Sequence, residues 1–117
     1  MMEIAGVTCQ KKDDTLSVVI GGDIDHHSAR YIREAIDREI FLCRPHAMVL
    51  ELSQVDFMDS SGLGLILGRY TRMREIGGVL KLKNPTPQTM KILSLAGVDK
   101  LIPVITAETM QKEVSKS

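Results

Sequence analysis

The 117-residue sequence contains no tryptophan, and it has only two phenylalanines and two tyrosines. Proteins that bind single-stranded nucleic acid stack its bases on aromatic side chains, so this shortage argues against such a site. A positive charge excess is also missing, because fifteen basic residues balance fifteen acidic ones and the formal net charge is zero. We therefore expect no direct contact with nucleic acid, whose binding normally needs a basic surface.

Long apolar runs and closely spaced metal ligands are missing as well. No stretch approaches the roughly 18 apolar residues of a membrane span, and Glu3 and Gly6 interrupt any signal-peptide pattern. Cys9 and Cys43 have no spacing typical of a metal site, and we expect both to be reduced thiols of a cytoplasmic protein. The sequence predicts neither a metal site nor a bound cofactor, and no contact with a membrane.

The order of strand and helix patterns predicts one α/β domain over residues 1–117. Two β-prone runs, Val7–Lys11 and Leu16–Ile20, predict a hairpin. Strand and helix patterns then alternate, which requires crossover connections and predicts a mixed, mainly parallel sheet of four to five strands with about four helices. The predicted helices are Ala29–Leu42, Ser61 to Gly77-Gly78, Thr86 to Gly97 and Thr106–Val114, and the further strands are Ala47–Leu52, Val79–Lys83 and an edge strand at Leu101–Val104.

Apolar periodicity predicts which side chains form the core. We expect the run Ala47–Leu52 to be a strand buried on both faces. The helical stripes predicted to face inward are Ile32, Ala35, Ile36 and Ile40, then Leu63, Ile66, Leu67, Tyr70 and Met73, then Met90, Leu93 and Ala96, and finally Ala107, Met110 and Val114.

Two polar loops, Asp23–Ser28 and Asp56–Ser61, each follow a strand and precede a helix. Such loops lie at the same edge of an open α/β sheet, where these folds bind ligands, so the two loops are expected to share a surface. Ser28 is the predicted N-cap of the first helix, and Ser60 or Ser61 is the predicted N-cap of the second.

The residue types in these loops allow three other interpretations. Ser60 with Asp59 and a histidine would suit a serine hydrolase, but Met58 occupies a position where the nucleophile elbow has glycine. The adjacent histidines, His26 and His27, lack a third ligand at a suitable spacing for a metal. Three glycines follow at the predicted second helix: Gly62, Gly64 and Gly68. Their spacing is one residue too long for a dinucleotide-binding fingerprint, and we instead expect them to let the helix approach its neighbour closely.

The stretch Phe57–Gly64 resembles the phosphorylation-site signature of the anti-sigma-factor antagonists, which are small single-domain proteins of the STAS family. The resemblance extends upstream to Asp25–Ala29 and downstream to Ile76–Gly78, and it therefore covers most of the chain. It is greatest toward the sporulation branch of these antagonists. The resemblance implies a STAS fold and a non-enzymatic regulator.

The resemblance also assigns roles to individual residues. It implies that Ser60 is phosphorylated by the partner, an anti-sigma factor that is a serine kinase using its own ATP and magnesium, and that a metal-dependent serine phosphatase reverses the reaction. Ser61 would be the structural hydroxyl. Asp25 could pair with a basic group of the kinase or cap the following helix, and both roles remain open. The implied partner-binding residues are Asp25, Asp59, Ser60, Ser61, Gly62 and Leu63.

Elementary electrostatics is consistent with a switch at Ser60. A phosphoryl group adds about −1.5 to −2 charge, which the N-terminus of a helix tolerates. A docked partner would have to bury that charge unpaired, at a cost of ~2–5 kcal/mol, or roughly 30-fold to several thousand-fold in affinity. The alternative is a constitutive STAS module of a transporter or scaffold, in which Ser60 is never modified. The oligomeric state stays open, and a monomer is compatible with the sequence.

Overall fold

A computed structural model of the chain describes residues 2–4 and 6–106. The described elements are β1 (Met2–Ile4), β2 (Val7–Lys12), β3 (Thr15–Ile24), α1 (His26–Cys43), β4 (Ala47–Met58), α2 (Ser60–Glu75), β5 (Val79–Lys83), α3 (Pro87–Leu95), α4 (Val98–Leu101) and β6 (Val104–Ile105). Apart from Thr106 itself, the helix predicted over Thr106–Val114 lies outside the described residues.

The strands form one mixed sheet in the order β1-β2-β3-β4-β5-β6. The first three strands pair antiparallel, and β3 to β6 pair parallel. The predicted α/β class, the hairpin and the mainly parallel sheet are confirmed. The short strand β1 was not predicted, and it pairs with the beginning of β2 through Met2–Ile4.

The central strand β4 differs from the prediction in two respects. It continues past Leu52 to Met58, so Asp56–Met58 belongs to the strand and not to a loop. Its inward side chains are buried, whereas Ala47, Val49 and Glu51 are only partly buried. Successive side chains of a strand point to opposite faces, so one face of the sheet carries the core and the other is partly open. The expectation of burial on both faces was therefore wrong.

Helix α1 buries the four side chains predicted from its periodicity: Ile32, Ala35, Ile36 and Ile40. Helix α2 follows its predicted stripe less closely, because Leu67 is 37% exposed and Arg69, which was not predicted to face inward, is buried. Gly77, with φ of 78°, ends this helix in the left-handed conformation, as predicted.

The region after β5 begins as predicted and then departs from the prediction. Thr86 caps α3, with Pro87 at its first position, and Leu93 is buried. Ala96 is exposed because the helix has already ended at Leu95. The next residues form the single-turn helix α4, so the last strand begins at Val104 and not at Leu101. Among the described residues, no helix combines the length and apolar character needed to cross a bilayer.

Candidate functional site

The two polar stretches meet at the carboxyl ends of β3 and β4. Ile24 pairs with Met58 in parallel register, and these are the last residues of their strands. The backbone N–H of Asp59 donates to the carbonyl oxygen of Ile24 over 3.2 Å. Asp25 and Asp59 therefore follow paired residues, and the N-termini of α1 and α2 lie side by side, as the sheet topology predicts.

Asp25 is the N-cap of α1. Its Oδ1 accepts hydrogen bonds from the backbone N–H groups of His27 (2.9 Å) and Ser28 (2.8 Å). The Ser28 hydroxyl accepts in return from the Asp25 N–H over 3.0 Å, which completes a capping box. Ser28 was predicted as the cap and is instead the third residue of the helix, because the aspartate reaches the free N–H groups first. The backbone N–H of Ser28 contributes most to lowering the pKa of Asp25 below its ordinary value.

Asp59 has the corresponding position at the start of α2. Its Oδ1 accepts from the Ser61 N–H over 2.7 Å, and its carbonyl oxygen accepts from the Gly62 N–H over 3.0 Å. The prediction of a serine cap was therefore wrong here as well. Ser60 and Ser61 are the first two residues of the helix, so the Ser60 hydroxyl is not needed for capping.

The two serines differ in their surroundings. Ser60 is exposed, and among the described residues no hydrogen bond involves its hydroxyl group. Ser61 is partly buried and lies on the wall of a cleft between the two helices. The structure thus presents one free hydroxyl to solvent, directly after a capped carboxylate.

The remaining predicted contact residues divide into surface and interior positions. Leu63 is partly buried against the core, whereas Gly62 is buried and packs on Met58, so Gly62 itself is not presented at the surface. Gly64 and Gly68 have no neighbouring atom within 4 Å of the position that a Cβ would occupy. Only the first of the three helix glycines therefore provides the predicted close approach.

A cleft of about 520 Å³ lies between the N-terminal halves of α1 and α2. Its lining residues are His26, Ala29, Arg30, Arg33, Ser61, Gly64 and Leu65. Sequence reasoning missed the two arginines. Their spacing of three positions places them on the same side of a helix, away from its apolar stripe, and that pattern was visible before the structure.

The hydrolase and metal interpretations receive no geometric support. His26 and His27 belong to the first turn of α1 rather than to a loop, and His27 contacts the Tyr31 ring edge-on at 5.3 Å. No hydrogen bond joins either histidine to Ser60. Within residues 2–4 and 6–106, no group of three or more histidine, cysteine or acidic side chains is placed to hold a metal ion.

The fold and the site define a small α/β module that displays a serine at a helix N-terminus. A family model described as the STAS domain matches residues 7–114, and the chain belongs to this family. It is 36% identical to the anti-sigma F factor antagonist of Paenibacillus polymyxa over 93 residues, which cover 80% of each chain. It is 29% identical to the anti-sigma-B factor antagonist of Bacillus subtilis over 99 residues, or 84% of this chain and 88% of that one.

Solved structures agree with this assignment. The anti-sigma factor antagonist SpoIIAA in its unphosphorylated form superimposes with a TM-score of 0.76 and 28% identity, covering 95% of this chain and 97% of that one. The phosphorylated form of SpoIIAA from Bacillus gives a TM-score of 0.69 at the same identity, covering 92% and 98%. The recognition of a STAS-type antagonist from Phe57–Gly64 is confirmed at the level of family and fold.

Proposed function

We propose that the protein is an anti-sigma factor antagonist whose binding is controlled by phosphorylation of Ser60. In its unphosphorylated form it binds the anti-sigma factor, a serine kinase, and so releases the sigma factor. The phosphorylated form dissociates. The observation that carries this proposal is the exposed Ser60 hydroxyl, free of hydrogen bonds within the described residues, in a chain similar to named antagonists.

Ser60 suits the role of acceptor better than Ser61. A kinase must bring the hydroxyl oxygen to the terminal phosphorus of ATP, and only a solvent-facing side chain allows that approach. Ser61 is partly buried, and its N–H is held by the Asp59 carboxylate. Modification of Ser60 would leave the cap of α2 in place, so the fold would be preserved in both states.

The charge around Ser60 explains why a partner would be released. Asp59 is adjacent to it, and Asp25 follows the neighbouring strand, so both carboxylates lie at the same sheet edge. A phosphoryl group would increase this negative charge at the centre of the proposed contact. Burying it without a matching cation costs ~2–5 kcal/mol, which corresponds to roughly 30-fold to several thousand-fold weaker binding.

The proposed contact surface consists of Asp25, Asp59, Ser60, Ser61 and Leu63, with Gly62 supporting it from beneath. Phe57 extends this surface, since it is 46% exposed and lies two residues before Asp59. Asp25 already caps α1, and its exposed carboxylate also suits a basic group on the kinase. We assign it both roles.

The identities favour a sigma factor of the F type. Two antagonists of anti-sigma F factor are 36% and 34% identical to the chain, compared with 29% and 23% for two antagonists of anti-sigma-B factor. We accordingly propose a cytoplasmic role in sporulation, with a metal-dependent serine phosphatase restoring the active form. ATP and magnesium belong to the kinase, and the antagonist itself needs no cofactor.

The decisive experiment incubates the purified protein with the candidate anti-sigma factor kinase of the same organism, ATP and magnesium. Intact-mass analysis should show one added phosphoryl group, and peptide mapping should place it on Ser60. Ser60→Ala should bind the kinase and remain bound, whereas Ser60→Asp should bind poorly. Ser17→Asp, at an exposed serine within β3, is the matched control and should bind like the wild type.

Equal binding by Ser60→Ala and Ser60→Asp would reject the switch and favour a constitutive STAS module of a transporter or scaffold. Labelling of Ser60 by a serine-reactive fluorophosphonate would instead support the interpretation as a serine hydrolase.

A further inference from the structure

The cleft between α1 and α2 carries positive charge that the proposed function does not use. Arg30 and Arg33 project from exposed positions of α1, and both line the cleft. Ser61 and Gly64 of α2 form part of the opposite wall. Because Ser61 also follows Ser60 directly, the cleft is continuous with the proposed contact surface.

The acidic residues of α1 that follow the two arginines do not neutralise both of them. Glu34 pairs with Arg30 at 3.5 Å between Nε and Oε1, but the two side chains are 75% and 59% exposed, so the pair is weak and easily exchanged. Asp37 pairs with Arg69 and is not available. Arg33 takes part in no ion pair within the described part of the chain. The cleft is thus lined by one weakly paired and one unpaired guanidinium group.

The shape of the cleft admits a side chain from another molecule. A Cβ at Gly64 would meet no atom within 4 Å, so the α2 wall is open at that point. A volume of about 520 Å³ exceeds the size of one carboxylate side chain and accommodates a short segment. Arginine presents a planar set of donors that matches a carboxylate in geometry as well as charge.

We propose that this cleft binds an acidic segment of the anti-sigma factor, with a partner carboxylate seated between Arg30 and Arg33. The inference rests on the proposed function and names the chemistry of its partner. Next to the cleft, Asp25 and Asp59 form a negatively charged edge. A partner with a basic group for that edge and an acidic group for the cleft can dock in one orientation only, which brings the Ser60 hydroxyl to a fixed place.

The test compares two double variants that change the net charge by the same amount. Arg30→Glu/Arg33→Glu reverses the charge of the cleft, whereas Arg38→Glu/Lys91→Glu reverses the charge of exposed residues of α1 and α3 that do not line the cleft. Affinity for the purified anti-sigma factor kinase is measured at several salt concentrations. The cleft variant should bind at least tenfold more weakly than the control variant and should show a shallower salt dependence. Equal affinity of the two double variants would overturn the proposal.

A second variant tests the cleft without changing charge. Gly64→Gln places a side chain in open space, so the protein should fold while the cleft is filled. It should weaken binding severalfold, and Gly68→Gln, one turn further along α2, should not. Circular dichroism confirms folding of every variant.

The outcomes separate this inference from the proposed function. Wild-type protein that does not bind the kinase overturns both. If Ser60→Asp binds the kinase poorly but Arg30→Glu/Arg33→Glu binds it with wild-type affinity, only the proposal about the cleft is overturned. NMR spectra recorded with inorganic phosphate show whether a small anion binds in the cleft. If phosphate shifts the signals of the cleft residues and Arg30→Glu/Arg33→Glu does not change the affinity for the kinase, the cleft is a site for a small anion and the proposal is overturned.

Discussion

Gly62, the third residue of α2, packs directly on Met58, the last residue of β4. A Cβ at Gly62 would clash with Cγ of Met58 and would lie 2.6 Å from its Sδ, a separation that Cβ atoms essentially never show. It would also lie 3.2 Å from Cγ2 of Ile24, which is a tight contact. Met58 and Ile24 are themselves paired across β3 and β4. The absence of a side chain at Gly62 therefore sets how closely the helix that carries Ser60 approaches the sheet.

Gly62→Ala should consequently destabilise the protein. Overpacking of this kind costs roughly 1–3 kcal/mol, because the buried Met58 side chain must move from its Cγ outward to make room. Gly68→Ala is the control, since the space around Gly68 is open and alanine should stabilise the helix by about 0.5–1 kcal/mol. Urea denaturation measures the free energy of unfolding of both variants. A Gly62→Ala protein as stable as Gly68→Ala would show that the contact with Met58 is not a constraint.

Asp59 is expected to stabilise α2 as a cap independently of its charge. Asp59→Ala removes the acceptor of the 2.7 Å hydrogen bond from Ser61 and should cost about 0.5–2 kcal/mol. Asp59→Asn keeps a capping oxygen and should be close to wild type in stability. If partner binding depends on the carboxylate charge, Asp59→Asn will weaken binding without a change in the melting temperature. Equal destabilisation by both substitutions would contradict the capping role.

The ion pair between Arg69 and Asp37 joins α2 to α1, with 3.1 Å between Nε and Oδ1. The two side chains are 10% and 40% exposed, and the contact lacks good hydrogen-bond geometry. Burial lowers the pKa of Arg69, and the opposite charge of Asp37 counteracts part of that effect. The guanidinium group therefore depends on Asp37 more than Asp37 depends on it.

This asymmetry gives a prediction. Asp37→Ala leaves a buried cation without its partner and should cost about 1–3 kcal/mol, less than for a fully buried pair because Asp37 reaches solvent. Arg69→Met should cost less, since an apolar side chain of similar length fills the same space. Thermal unfolding of the two single variants and the double variant measures the coupling free energy between Asp37 and Arg69. A larger loss for Arg69→Met than for Asp37→Ala would refute the asymmetry.

The sequence predicted those parts of the fold that depend on local periodicity. The inward face of α1 followed from its apolar spacing, and the junction at Thr86-Pro87 followed from cap chemistry. The error in α2 had a tertiary cause, because Arg69 is buried through its pairing with an aspartate on another helix. No local pattern records such a partner.

The candidate site was predicted in location but not in detail. Strand order brings Asp25 and Asp59 together, and that order followed from the alternation of elements. The caps were assigned to serines although an aspartate precedes each helix, and the competing acceptors are nearly equal in preference. The cleft could not be predicted, because it depends on how α1 and α2 pack. The spacing of Arg30 and Arg33 places both on one side of α1, but it does not show which element faces them.

The last prediction concerns Cys9, which lies on β2 and is only 2% exposed. Burial is the main cause that raises the pKa of its thiol to about 11, with smaller contributions from Glu39 and Cys43. Since the thiolate is the reactive form, Cys9 should react with iodoacetamide at pH 8 only as fast as the protein unfolds. Cys43 is partly exposed and should react much sooner.

The raised pKa also fixes the sign of a pH effect. The folded protein holds the Cys9 proton more tightly than the unfolded chain, so its contribution to stability is fully present below the ordinary thiol pKa of 9.0. That contribution decreases as the pH rises toward 11. Between these values the wild type should lose more stability than Cys9→Ala, while Cys43→Ser, which retains Cys9 and removes only a small contribution to its raised pKa, should lose nearly as much as the wild type. Rapid alkylation of Cys9 in folded Cys43→Ser at pH 8 would contradict the burial that underlies both expectations.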